Sequence, residues 1–465
     1  MQMSPKELAG RRIMRVMLLT AVFSAMSVFT FNIVLPELRA EFQIDLAQAS
    51  WLSSGYLLVY AIGSVVYGKL ANRYRLRNLL TFGLIVFAAG SLAGFSSSAF
   101  WQALAGRLLQ AAGASVVPAA AMLVPIRYFP PERRGGAMSM TAAGLALGTA
   151  LGPVVAALLL AVLDWRWLFI PPVLVVALVP FFRHYIRDEP APNSAKLDWL
   201  GAVLLAATGV FALLGTTYRS GWLIAAATMA LLLLVWRLRT ASDPFVQPKL
   251  FLNRSYASAL AMTVPISAVA SGMALLPAVL LADVYGLGAE WIGFALVPAA
   301  AASAALSRLG GRTADRRGDT RLYTLASGLL MLCFAVLAVF AGTAPVWSIP
   351  VMLIFGSVGQ TFMQVAFSNS LSKTLPKEQA GVGMGLFSMV NFIAGGIAAS
   401  VYGLLLEMEA PVWNPLAAGT NAGMFANVFA GFLILHAGLL AYYRKRFGTE
   451  RKTMGSDRQS DKPTA

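Results

Sequence analysis

The sequence predicts an all-α integral membrane protein, and three observations carry that prediction. Uncharged apolar runs of about 20 residues, the length a helix needs to cross a bilayer, recur from end to end. Only 12% of the residues are charged while 58% are hydrophobic, and the cations gather in short clusters between the runs. A soluble chain carries roughly a quarter of its residues charged, so a mean hydropathy of +0.70 places this chain in lipid rather than water.

The formal net charge of +16 could suggest nucleic acid. A nucleic-acid binder shows its cations on a soluble face, however, and these sit between apolar runs, so no nucleic-acid partner is expected. Cys333 is the single cysteine and lies in an apolar run; with only His184 and His436 as histidines, neither a disulfide nor a thiol or histidine metal site is expected. No metal and no cofactor is implied. Lys6, Arg11, Arg12 and Arg15 precede an apolar run reaching about Leu35, a pattern that superficially resembles a secretory signal. The run is too long for a signal core and lacks a small-residue cleavage site, so it reads as an uncleaved first span.

Apolar runs between charged or turn-rich breaks give fourteen spans, near 13–35, 50–70, 78–97, 100–125, 136–162, 166–184, 198–216, 220–237, 256–282, 290–308, 322–342, 346–370, 380–405 and 421–443. Odd-numbered connections hold only Arg39, Arg166 and Arg219 as cations. Even-numbered ones hold Lys69, Arg73, Arg75, Arg77, Arg127, Arg133, Arg134, Arg183, Arg187, Lys196 and most of the rest. The positive-inside rule therefore places both termini in the cytoplasm. Trp101, Trp165, Trp167, Trp199, Trp222, Trp236 and Trp347 fall at span ends, where an indole suits the headgroup region. After Tyr443 the chain turns polar and has too little apolar surface to fold alone, so the tail is expected to be disordered.

Two pairs of segments recur at nearly one offset, the mark of a duplicated bundle. Gly68-Lys-Leu-Ala-Asn72-Arg73-Tyr-Arg75 matches Gly311-Arg-Thr-Ala-Asp315-Arg316-Arg317-Gly318, and Pro131-Glu132-Arg133-Arg134-Gly135-Gly136-Ala-Met138 matches Lys377-Glu378-Gln379-Ala380-Gly381-Val-Gly-Met384, at offsets of 243 and 246 residues. Spans 1–6 thus correspond to spans 9–14, and spans 7 and 8 are extra. The expected division is a cytoplasmic N-terminus (1–12), a first six-helix bundle (13–184), a linker with spans 7 and 8 (185–253), a second six-helix bundle (254–443) and the tail (444–465).

The Gly-x-x-x-Asp-Arg-x-Gly loop after the second span of each half, Arg107-x-x-Gln110-x-x-Gly113 in span 4, and Gly144, Gly148 and Gly152-Pro153 in span 5 together resemble the major facilitator superfamily. Fourteen spans, Trp165-Arg166-Trp167, Leu197-Asp198-Trp199-x-Gly201 and Asp243-Pro-Phe-Val-Gln-Pro248 resemble its fourteen-span drug:proton antiporter branch. Tyr67-Gly68-Lys69-Leu70 and Asp315-Arg316-Arg317-Gly318 are most similar to the Gram-positive kind of tetracycline and multidrug efflux protein. The resemblance covers about residues 12–445. It implies the major facilitator fold, two six-helix bundles plus two central helices, in a bacterial-type inner membrane, acting as a monomer on a small organic substrate with protons as the coupled partner.

The resemblance implies that Gly68, Asn72, Arg73, Gly311, Asp315, Arg316, Arg317 and Gly318 form a cytoplasmic latch stabilising the outward-open state. The alternative is a plain basic loop; in the first half Asn72 and Arg75 stand where the family has Asp and Gly. Arg107 lies in an apolar span, where a guanidinium costs several kcal/mol unless it meets water or a partner. It is a functional candidate unless it snorkels to the interface, and the resemblance assigns it to proton coupling or substrate binding with Gln110. The glycines at 144, 148 and 152 give span 5 a smooth face, and Pro153 bends it. This is the family's antiporter motif, though Ala156 and Ala157 replace its last glycines, and helix packing explains the glycines equally well.

Polar stripes at helical spacing mark span 1 (Thr20, Ser24, Ser27, Thr30), span 4 (Arg107, Gln110), span 9 (Thr263, Ser267, Ser271) and span 12 (Ser357, Gln360, Gln364, Ser368). By resemblance these helices line the cavity, and Arg107, Gln110, Gln360 and Gln364, then Asn32 and Asn391, are the expected substrate contacts. All twenty acids fall in loops, tails or span ends; alignment to the tetracycline exporters puts Thr149 and Gly395 where acids are expected. Coupling would then use a span-end acid such as Asp198 or Glu407, use His436, which otherwise reads as a packing residue, or depart from the usual manner. Without a buried acid, Arg107 favours neutral, zwitterionic or anionic solutes. An importer, lipid translocator or uniporter is the rival within transport, and a non-transporting receptor the rival outside it. No enzyme motif and no nucleotide-binding loop appears.

Overall fold

The computed structural model describes residues 4–31, 34–44, 46–71, 73–160, 162–186, 198–241, 244, 246–376, 379–408, 413–414 and 422–447. Every regular element among them is helical. The elements are α1 (Pro5–Thr30), α2 (Leu35–Phe42), α3 (Leu46–Leu70), α4 (Leu76–Phe95), α5 (Phe100–Ala114), α6 (Val116–Tyr128), α7 (Arg134–Leu160), α8 (Ile170–Val173), α9 (Val179–Tyr185), α10 (Trp199–Thr217), α11 (Gly221–Thr240), α12 (Lys249–Leu252), α13 (Arg254–Asp283), α14 (Ala289–Arg317), α15 (Asp319–Phe340), α16 (Ser348–Lys373), α17 (Ala380–Glu407) and α18 (Gly423–Phe447). Thirteen helical stretches among the described residues are long and apolar enough to cross a membrane.

The first helix begins earlier than its apolar run. Ser4 N–H donates to Glu7 Oε2 at 3.0 Å and Glu7 N–H donates to Ser4 Oγ at 3.2 Å, a reciprocal cap with Pro5 in the first turn. Hydropathy is blind to this polar start. The short α2 was likewise hidden by its charges. The Trp165–Tyr185 stretch alternates 3-10 and α turns, because Pro171, Pro172 and Pro180 each lack an N–H and crowd the preceding turn. Asp315, assigned to a loop from sequence, is helical: α14 runs on to Arg317 and stops at Gly318, whose φ of +88° a side chain would resist.

Helix pairing follows the offset of the sequence repeat. Helix α1 packs along α7 as α13 does along α17, and α4 along α5 as α15 does along α16. The pairs α3–α17 and α7–α14 join the first half to the second, while α10 and α11 pair with each other and α10 leans on α17 and α3. The tightest approaches between halves fall at one end. There a Cβ on Gly68 would lie 2.2 Å from Gly381 O, so only glycine lets these backbones meet. Along α17, Val382, Met384, Leu386, Phe387 and Met389 are buried, whereas residues 390–397 are half-exposed.

Candidate functional site

In the first half the chemistry gathers around Arg107, which is 0% exposed. Its Nε donates to Leu52 O at 3.1 Å, Nη2 to Ser27 O at 3.2 Å, and Nη1 to Ser27 Oγ at 3.2 Å and to Gln110 Oε1. The Phe31 and Tyr56 rings flank the guanidinium, 4.3 and 4.0 Å from its carbon to their centroids. Hydrogen bonds to every donor nitrogen and two ring faces offset the cost of burying the cation. Among the described residues its partners include no carboxylate.

The network continues from Gln110 Nε2 to Ser91 Oγ at 2.7 Å and from Ser91 Oγ to Phe87 O at 2.9 Å. Arg107 and Gln110 sit one turn apart on α5 and tie together α1, α3 and α4. In this conformation neither reaches a surface. The α1 stripe points the same way: Ser24 bonds Tyr60 at 2.9 Å, and Thr20, Ser24, Ser27 and Thr30 are all buried. Leu52, Phe31 and Tyr56 were not legible as partners of Arg107, since they lie on other helices.

The second half presents its amides differently. Gln360 and Gln364, one turn apart on α16, are half-buried, and among the described residues neither side-chain amide has a hydrogen-bond partner, while the Gln364 backbone carbonyl accepts from Ser368 Oγ at 2.6 Å. Asn391 Oδ1 accepts from Ser267 Oγ at 2.6 Å, joining α17 to α13. Asn32 lies outside the described residues. Thr149 Oγ1 bonds back to Leu145 O at 2.9 Å, and a Cβ on Gly395 would lie 3.7 Å from Ser271 Cβ. His436 is 1% exposed, with neither ring nitrogen hydrogen-bonded among the described residues and its ring edge-on to Phe334.

At the closed end, Asp315 Oδ2 accepts the Gly136 N–H at 2.9 Å, so the carboxylate faces the first turn of α7, where free backbone donors favour negative charge. Cβ atoms on Gly135 and Gly311 would lie 2.7 Å from Ala314 Cβ and 2.4 Å from Ser139 Oγ, which is why α7 and α14 can touch here. Arg316 and Arg317 are exposed in the last turn of α14. Asp319 is engaged by Lys373 Nζ at 2.6 Å and Asn369 Nδ2 at 2.7 Å. In the first-half motif Arg73 is exposed with its guanidinium 5.6 Å from the Tyr74 ring centroid, and Asn72 lies outside the described residues. On α7, Cβ atoms at Gly144 and Gly148 would fall 2.4 Å from Leu18 O and Val22 O, and one at Gly152 3.1 Å from Met26 O, so this face lies flush on α1. Pro153 is within α7.

Two bundles of crossing helices, joined at one end through α3–α17 and α7–α14 and carrying polar groups between apolar faces, define a membrane transporter rather than an enzyme. The chain belongs to the Major Facilitator Superfamily, whose family model matches residues 17–399. It is 26% identical to the lincomycin resistance protein LmrB of Listeria monocytogenes, with 86% of this chain and 87% of that protein covered. It is 22% identical to the riboflavin transporter RibZ of Clostridioides difficile, with 80% and 82% covered. The human organic anion transporter MFSD10 shares the fold, at a TM-score of 0.66 and 16% identity over 94% of this chain and all of that one.

Proposed function

We propose that this protein exports a small organic solute or drug by alternating access, driven by the proton gradient. The observation that carries the reading is the closure of one end by Asp315 on Gly136 and Gly68 on Gly381, while the free amides of Gln360 and Gln364 remain unengaged. The positive-inside rule makes that end cytoplasmic, which makes this conformation outward-facing and the Asp315 contact its latch. On this reading α1 is a fourteenth crossing, both termini are cytoplasmic, the six-helix units are residues 13–184 and 254–443, and the protein works as a monomer in the bacterial cell membrane.

No described Asp or Glu lies in the middle of a crossing helix. The substrate therefore meets amides, hydroxyls and aromatic faces rather than a counter-ion, which favours neutral or zwitterionic molecules over strong cations. Tetracycline-like molecules fall in that class. Arg107 acts from inside the first bundle, setting how α1, α3, α4 and α5 move together.

The likeness to the lincomycin resistance protein LmrB supports a drug as the cargo, and the likeness to the riboflavin transporter RibZ supports a vitamin-like one, whose import is the second reading. Everted vesicles containing the protein decide between them when offered tetracycline, lincomycin and riboflavin with and without an imposed pH gradient. Export predicts uptake into everted vesicles that stops when the gradient is collapsed. Uptake that survives collapse refutes antiport, and uptake only into right-side-out vesicles refutes export.

A further inference from the structure

We propose that the segment joining α11 to α13, Pro244 and residues 246–253, is a strap that holds the α3 and α17 ends together and must detach before this end opens. The inference rests on the alternating-access reading and gives the inserted hairpin α10–α11 a task in it.

The segment is bonded to both halves. On the first-half side, Lys69 Nζ at the end of α3 donates to Pro244 O at 3.3 Å. On the second-half side, Gln379 Nε2, the residue capping α17, donates to Gln247 Oε1 at 2.9 Å, and Asn253 Nδ2 donates to Thr374 O at 2.8 Å beyond the end of α16. Between these ties Val246 and Leu250 are each 2% exposed and belong to the core that also contains Val65 of α3 and Val382 of α17. Their neighbours Phe251 and Leu252, at 43% and 78%, face outward.

Asn253 also fixes the strap's far end, since its Oδ1 accepts from Ser255 and Tyr256 N–H and thereby starts α13. Tyr256 Oη in turn donates to Gly383 O of α17 at 2.9 Å. At the near end Asp198 pairs with Arg237 at 3.0 Å, so the start of α10 and the end of α11 are held as one unit. The strap thus spans the seam where Gly68 meets Gly381. If α3 and α17 part, either Lys69 and Gln379 both move with the strap, which their opposite halves forbid, or one tie breaks and the two buried side chains leave the core.

The test uses the full chain with Cys333→Ala as parent and spin labels at Arg75→Cys and Arg321→Cys, both exposed positions on opposite halves at this end. Distance distributions are then read for the parent, for Val246→Ser with Leu250→Ser, and for Phe251→Ser. The strap predicts that the double variant raises the separated population by about tenfold or more, the factor expected from losing the burial of even one Val or Leu side chain, with Phe251→Ser unchanged. An unaltered distribution in a folded double variant overturns it.

A second arm leaves the buried side chains in place. Lys69→Met, which deletes the donor to Pro244 O while the strap stays bonded to the second half, should raise the same separated population, and an unaltered distribution overturns the strap. Failure of the transport reading is distinct, because it appears as no vectorial uptake by the parent itself.

Discussion

The Arg107 guanidinium lies 4.0 Å from the centroid of the Tyr56 ring, with Phe31 on its other side at 4.3 Å. A charge that enters no salt bridge among the described residues is thus held by two aromatic faces and by acceptors from α1, α3 and α5. The arrangement depends on a flat, forked cation. Arg107→Lys keeps the charge and loses the fork, and we expect transport to fall by an order of magnitude or more, with the melting temperature lowered. Transport within twofold of the parent would show that the network only packs.

Gln110 shares that network, which makes its contribution separable by a double-mutant cycle. Arg107→Met and Gln110→Leu should each destabilise the detergent-solubilised protein, and the pair should cost less than the sum by about 1.5–3 kcal/mol, the range for a hydrogen bond to a charged group. Additive losses would remove Gln110 as a partner of the guanidinium.

The closed end gives a directional prediction. Gly68→Val places a side chain against Gly381 O, where even a Cβ would come within 2.2 Å, so α3 and α17 must part. Asp315→Ala instead removes the acceptor of the Gly136 N–H, at a cost of about 1.5–3 kcal/mol. Both should shift the Arg75 to Arg321 label distances toward separation. Were Asp315→Ala to leave the distances unchanged, Asp315 would be no latch.

The side-chain amides of Gln360 and Gln364 bond to nothing among the described residues, so truncating them should barely alter stability. Gln360→Ala and Gln364→Ala are expected to raise the KM for the transported solute about three- to twentyfold, as loss of one or two hydrogen bonds implies, with the melting temperature unmoved. A loss of stability with unchanged KM would make them packing residues.

Asp198 both caps α10, accepting the Gly201 N–H at 3.1 Å, and pairs with Arg237 across the inserted hairpin. Asp198→Ala should destabilise by about 1–3 kcal/mol, more than Arg237→Ala, because Arg237 is about one-third exposed and leaves the cap intact. Equal losses in thermal unfolding would mean that the cap contributes nothing.

How much of this was legible in the sequence depends on whether a feature is local. The crossing stretches, the duplicated halves and the cost of placing Arg107 in an apolar run follow from hydropathy, spacing and desolvation, all properties of neighbouring residues. The polar start of α1 and the helical continuation through Asp315 escaped the same reading, because caps and helix propensity act where apolarity has ended.

The sequence by itself determined a chain of lipid-crossing helices with its chemistry concentrated in a few polar positions. Only the tertiary structure decided that Arg107 meets Tyr56 and Ser27, that Asp315 reaches Gly136 across 179 residues, and that Lys69 grips the strap at Pro244. Which side chain faces which depends on how each helix is rotated and slid against its neighbours. That is fixed by packing summed over whole helix faces, and no short stretch of sequence encodes it.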